Sequence, residues 1–72
     1  MKIADLEVNE TQKKILTLIY TPRTVYEVAA KLKKSYSSIN QNLGILCASK
    51  YAVKIKKMSG GVIYKLNKDL EP

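Results

Sequence analysis

Apolar residues recur along this chain with two periods, and the change between them separates a helical part from a strand part. Asn9 stands as an N-cap, with Gln12 three residues on as the other half of a capping box. In the run Glu10–Tyr20 that follows, Ile15, Leu16, Leu18 and Ile19 fall at helical spacing. Thr21-Pro22 stops the run, because proline cannot continue the hydrogen-bond ladder. Thr24 and Glu27 make a second capping box, and Val25, Val28, Ala29 and Leu32 form one apolar stripe. Lys31, Lys33 and Lys34 close this second helix near its negative dipole end. Ser35 caps a third helix. On a helical wheel Ile39, Leu46 and Cys47 lie within about 60° of Leu43 and make its buried face. Ser37, Gln41 and Ala48 fall on the opposite side, Ser38, Asn42, Gly44 and Ile45 flank them, and Asn40 lies near the boundary.

After Lys50 the period becomes two. Val53 and Ile55 alternate with Lys54 and Lys56, and beyond Ser59-Gly60-Gly61 the residues Val62, Tyr64 and Leu66 alternate with Ile63 and Lys65. Two alternating runs around a Gly-Gly turn predict a β-hairpin. Val53 and Ile55 are expected to face the helices together with Val62, Tyr64 and Leu66, which turns Lys54, Lys56 and Lys65 outward. Lys57 has inward parity, but beside the turn its long stem reaches water. Residues 1–8 are expected to be a lead-in and 67–72 a frayed tail, around a single domain spanning 1–72.

Composition narrows the chemistry. With 72 residues the core is small and the fold marginal, so a partner subunit is an expected source of stability. The single cysteine, Cys47, forms no internal disulfide, and with no histidine a zinc site lacks its ligands. Cys47 itself lies on the apolar face as a small core residue in a reducing, intracellular (cytoplasmic) compartment. No apolar run reaches the length of a membrane span. No histidine, Gly-rich phosphate loop or nucleophile beside a base is present, so no enzyme, cofactor or small-molecule effector is expected. The absence of Phe, Trp and His in a Lys-, Ile- and Tyr-rich chain is associated with AT-rich bacterial, archaeal or viral genomes.

Charge points to a polyanion. The formal net charge is +7, and from Thr11 to Lys68 twelve basic residues face one acid, Glu27, a local net of +11. The outward face of the third helix, by contrast, carries hydroxyls and amides and no formal charge until Lys50. Solvated helix faces normally use Glu, Lys and Arg, which favour the helix, whereas Ser and Asn do not.

Thr24-Val25, Glu27-Val28-Ala29, Leu32, Ser35, Ile39 and Leu43, followed by the hairpin 53–66, resemble winged helix-turn-helix regulators of the MarR-like and ArsR-like kind. The resemblance runs from Asn9 to Leu66 and implies a mainly α fold of three helices and a two-stranded wing. Where the family usually has a glycine between recognition helix and wing, this chain has Ala48-Ser49-Lys50-Tyr51-Ala52-Val53, so either the helix exit is tilted or Lys50 takes the left-handed position less comfortably than glycine. The resemblance implies a sequence-specific binder of double-stranded DNA, a transcription regulator and a homodimer. It would pair through the lead-in with Ile3, Leu6 and Val8, through the first helix, or through the tail with Leu70.

In that reading Ser37, Ser38, Asn40, Gln41 and Asn42 meet base edges. Lys34, Tyr36, Lys54, Lys56, Lys57 and Lys65 hold phosphates. Gly44 suits either a close approach to DNA or a partner or a close crossing by the first helix, of which the crossing is expected, and Ile45 is an outward apolar exception, suited to a thymine methyl or a partner. Tyr20, Tyr51 and Tyr64 are expected to be structural. Two other functions fit the same residues. An uncharged recognition face suits a protein-interaction module, since a fold does not fix its partner. A single-strand binder needs aromatic platforms on a sheet, of which the hairpin offers only Tyr64.

Overall fold

The computed structural model describes residues 1–56 and 61–72. A short 3-10 turn at Ile3–Asp5 leads into three helices, α1 (Glu10–Leu18), α2 (Val25–Leu32) and α3 (Tyr36–Ala48). Two antiparallel strands follow, β1 (Ala52–Lys56) and β2 (Val62–Leu66). This is a helix-turn-helix with a wing.

Local chemistry sets the helix starts. The Asn9 side chain accepts from the Gln12 amide at 2.7 Å, and Gln12 Oε1 accepts from the Asn9 amide at 3.2 Å. Thr24 and Glu27 repeat this reciprocal pair on α2, and the Ser35 hydroxyl accepts from the Ser38 amide on α3. Such caps satisfy donors that no helical carbonyl reaches and are worth about 1 kcal/mol each.

The helix ends are less conventional. Lys33 and Lys50 both sit in the left-handed region, at φ 55° and 66°. At the end of α3 the Lys50 amide donates to the Cys47 carbonyl and the Tyr51 amide to that of Leu46. This is the double closure that usually places glycine at the left-handed position.

The three helices bury Ile15, Leu16 and Ile19, Val25, Val28 and Ala29, and Ile39, Leu43 and Leu46 against one another. Burial of each large aliphatic among them contributes about 1.5–3 kcal/mol. The wing is fastened to this core through β2. Arg23, between α1 and α2, exchanges both backbone hydrogen bonds with Tyr64, at 3.0 and 2.8 Å. The Leu66 amide donates to Ile19.

The parity of β1 is the reverse of the expected one. Ala52 pairs across from Leu66, Lys54 from Tyr64 and Lys56 from Val62. Directly opposed residues share a face, and Tyr64 and Leu66 are buried against the helices. Lys54 and Lys56 therefore project from the helix-facing side, while Val53 and Ile55 share the outer face with Lys65 and Ile63. The closure at Lys50 delivers Ala52 to the core, and a one-residue change of phase moves every following side chain to the other face.

The ends of the chain also differ from expectation. The tail does not fray: the Glu71 amide donates to Met1, the Ile3 amide donates to Glu71, and the N-terminal ammonium donates to the Asp69 carbonyl. Ile3 and Leu6, expected as dimer contacts, are buried in the chain's own core, and Val8 and Leu70 are half-buried against it. No helix among the described residues is long and apolar enough to cross a membrane.

Candidate nucleic-acid interface

The outer face of α3 is built by its own periodicity. Ile39, Leu43 and Leu46 are buried, which leaves Ser37, Asn40, Gln41, Gly44, Ile45 and Ala48 exposed. Ser38 and Asn42 are half-buried at the edge toward α1. Asn42 Oδ1 accepts from Gln12 Nε2 at 3.2 Å, and its Nδ2 donates to the Ser38 carbonyl at 2.8 Å. Both ends of that amide are thus engaged within the protein, whereas Gln41 and Asn40 stand in the open. A Cβ on Gly44 meets nothing within 4 Å. The close crossing of the first helix expected there does not occur, because Gly44 lies on the open side of α3.

Beside this face a groove of about 450 Å³ separates α3 from the wing. Tyr36 and Asn40 form one wall, Thr24 and Tyr26 at the start of α2 form its end, and Lys54 and Tyr64 come from the hairpin. The rings of Tyr26 and Tyr36 stand 4.7 Å apart at 40°, an aromatic pair worth about 0.5–1.5 kcal/mol beyond its area. Both remain exposed, Tyr26 by 72% and Tyr36 by 45%, so one edge of the pair is open to a ligand. Burial raises the Tyr64 phenol above its ordinary range, with smaller contributions from Cys47 and Tyr36. Burial also raises the Cys47 thiol, opposed by the positive charge of Lys54. Both groups are therefore neutral near pH 7, and Lys54 is the one ionised group among the described residues lining the groove.

The other sequence-predicted cations do not line the groove among the described residues. Lys34 is exposed in the turn before α3. Lys56 follows Lys54 on the same side of β1, and Lys65 is half-buried on the outer side, opposite Val53. Lys57 lies outside the described residues, as does Gly60 of the expected turn. Sequence reasoning missed Tyr26. Its position one residue off the apolar stripe of α2 marks it as exposed, but nothing in the spacing brings it to Tyr36. Of the tyrosines expected to be structural, Tyr64 is buried and Tyr51 half-buried, while Tyr20 is 64% exposed and lies outside the core.

No family model matches this chain, and no curated protein matches it. Solved structures do. A structure of a mutant of ZitR from Lactococcus lactis aligns with a TM-score of 0.83 at 24% identity, over 90% of this chain and 47% of that one. A second ZitR mutant, in complex with DNA, aligns with a TM-score of 0.83 at 23% identity, over 93% of this chain and 48% of that one. This chain thus spans about half the length of those proteins. At these identities the likeness establishes a shared architecture, three helices followed by a two-stranded wing.

Proposed function

We propose that this chain is a sequence-specific double-stranded DNA-binding domain of a transcription regulator, of the MarR-like or ArsR-like kind, without catalytic activity. The observation that carries the reading is the juxtaposition of an uncharged polar helix face with a groove whose one described charge is a lysine. The first suits base edges, where hydroxyls and amides discriminate. The second suits the phosphate backbone, which is sequence-blind and attracted by point charges. The architecture shared with ZitR, one structure of which is in complex with DNA, supports the same reading.

In this pose α3 enters the major groove with Ser37, Asn40 and Gln41 toward the bases and Ser38 at the edge. Asn42, tied to Gln12, holds the helix in place rather than reaching outward. Lys34, Tyr36, Lys54 and Lys56 meet the flanking phosphates, joined by Tyr26 through its exposed ring edge, while Lys65 approaches from the outer side of the wing. The working form is a homodimer in an intracellular, DNA-associated location, each copy reading one half-site.

The test is a salt titration of binding to a duplex pool and to its separated strands. Duplex binding is expected to dominate, with log K falling linearly against log salt as phosphate counterions are released. Equal affinity for single strands, or an affinity insensitive to salt, would overturn the reading and favour a protein partner for the α3 face.

A further inference from the structure

Resting on the DNA-binding reading, a more specific inference concerns which base pairs α3 reads. We infer that it selects A·T pairs, with the Gln41 amide on an adenine and the Ile45 side chain against the C5-methyl group of a neighbouring thymine.

The argument begins with what α3 lacks. From Tyr36 to Ala48 there is no Asp, Glu, Lys or Arg. Guanine presents two acceptors in the major groove, a pattern met best by the multiple donors of Arg or Lys, and cytosine presents a donor met best by a carboxylate. Adenine presents one acceptor and one donor, the complement of a side-chain amide. With the Asn42 amide engaged inside the protein and the exposed Asn40 at the edge of the face, where it also lines the groove with Lys54, Gln41 is the amide at the centre of the open face.

Ile45 lies one turn further on, directly above Gln41 on the same face, and is 49% exposed. An isoleucine there has no contact to make in water. Thymine carries the one apolar group on the floor of the major groove, on the partner strand of each adenine. An amide and a branched aliphatic at i and i+4 therefore match the two halves of A·T-rich sequence. Both side chains are short beside Arg, so the helix axis must come close to the bases. Gly44, between them in sequence, removes a Cβ from the face, and none of the described residues comes within 4 Å of that space.

The experiment selects binding sites from a random duplex pool, then replaces thymine by uracil in the selected site, which deletes the methyl and keeps the pairing. The selected half-site is expected to centre on A·T pairs. Uracil at the contacted position should weaken binding of the unaltered chain about three- to fivefold, the worth of one buried methyl-sized group. Ile45→Ala, at an exposed position that leaves the core intact, should bind the thymine and uracil sites alike. Gln41→Ala should lose the preference for adenine at the contacted position. A selected half-site centred on G·C pairs, or a uracil penalty equal in the unaltered chain and Ile45→Ala, overturns the A·T inference and leaves duplex binding standing. Absence of any duplex selection overturns the DNA-binding reading itself, and Ile45 then belongs to a protein contact.

Discussion

Three residues sit where a different residue would stabilise the fold more. Lys33 and Lys50 occupy left-handed positions that favour glycine, at φ 55° and 66°. Gly44 occupies a mid-helix position that favours alanine. At Lys50 the strain is offset by neighbours: the Asn67 side chain donates to the Lys50 carbonyl at 2.6 Å, and the Asn67 amide donates to that of Tyr51. At Gly44 nothing offsets the loss, since a Cβ there meets nothing within 4 Å. Gly44→Ala should therefore stabilise the chain by about 1 kcal/mol, raising the thermal midpoint by roughly 4–8 °C for a domain this small. In the proposed pose the same methyl would stand between α3 and the base edges, so it should weaken binding to a specific duplex. Thermal unfolding and duplex titration of one variant check both halves. A stabilised variant with unaltered affinity would mean that α3 does not approach DNA through this face.

Among the elements, the helices were legible and the first strand was not. Each helix start is written in adjacent residues, Asn9 with Gln12, Thr24 with Glu27 and Ser35 with Ser38, because capping acts over three positions. The phase of β1 is not local. Ala52, Val53 and Ile55 put apolar residues on both parities, so alternation alone does not choose between them. The choice is made by the left-handed closure at Lys50 and by pairing with β2, whose Tyr64 and Leu66 do alternate cleanly into the core. The consequence for function is that Lys54 and Lys56 leave the wing on the side of the groove. As point charges on phosphate they should act without regard to sequence. The double change Lys54→Ala and Lys56→Ala is expected to weaken specific and random duplex alike and to flatten the slope of log K against log salt by up to about 2. Both side chains are exposed, so circular dichroism should report an intact fold. An intact double variant with an unchanged slope would remove the wing from the phosphate contacts.

At the scale of the molecule, the two ends of the chain close on each other, and this decides where a second copy can bind. The clasp was not legible in the sequence, because its bonds run from backbone to backbone and the tail Asn67–Pro72 has no hydrophobic period to announce it. The aromatic pair Tyr26–Tyr36 was hidden for a related reason, since it joins two helices across a turn and depends on how they cross. With Ile3 and Leu6 in the core and Leu70 half-buried, the apolar surface the terminal segments had promised to a partner is largely spent inside the chain. Apart from Tyr26, Tyr36 and Ile45 on the α3 side, the large apolar residues exposed among the described residues are Met1, Tyr20 on the loop after α1, and Val53 on the outer hairpin face. The proposed homodimer would read two half-sites about one helical turn apart, and it would then associate through those outer positions. Sedimentation at micromolar concentration is expected to show a species of twice the 8.1 kDa chain mass, and Tyr20→Lys or Val53→Lys, each placing a charge on an exposed surface position, should return it to a folded monomer when its position lies in the interface. A single 8.1 kDa species when free, together with a stoichiometry of one chain per selected duplex, would mean that one copy reads one site and that the proposed two-fold arrangement is wrong.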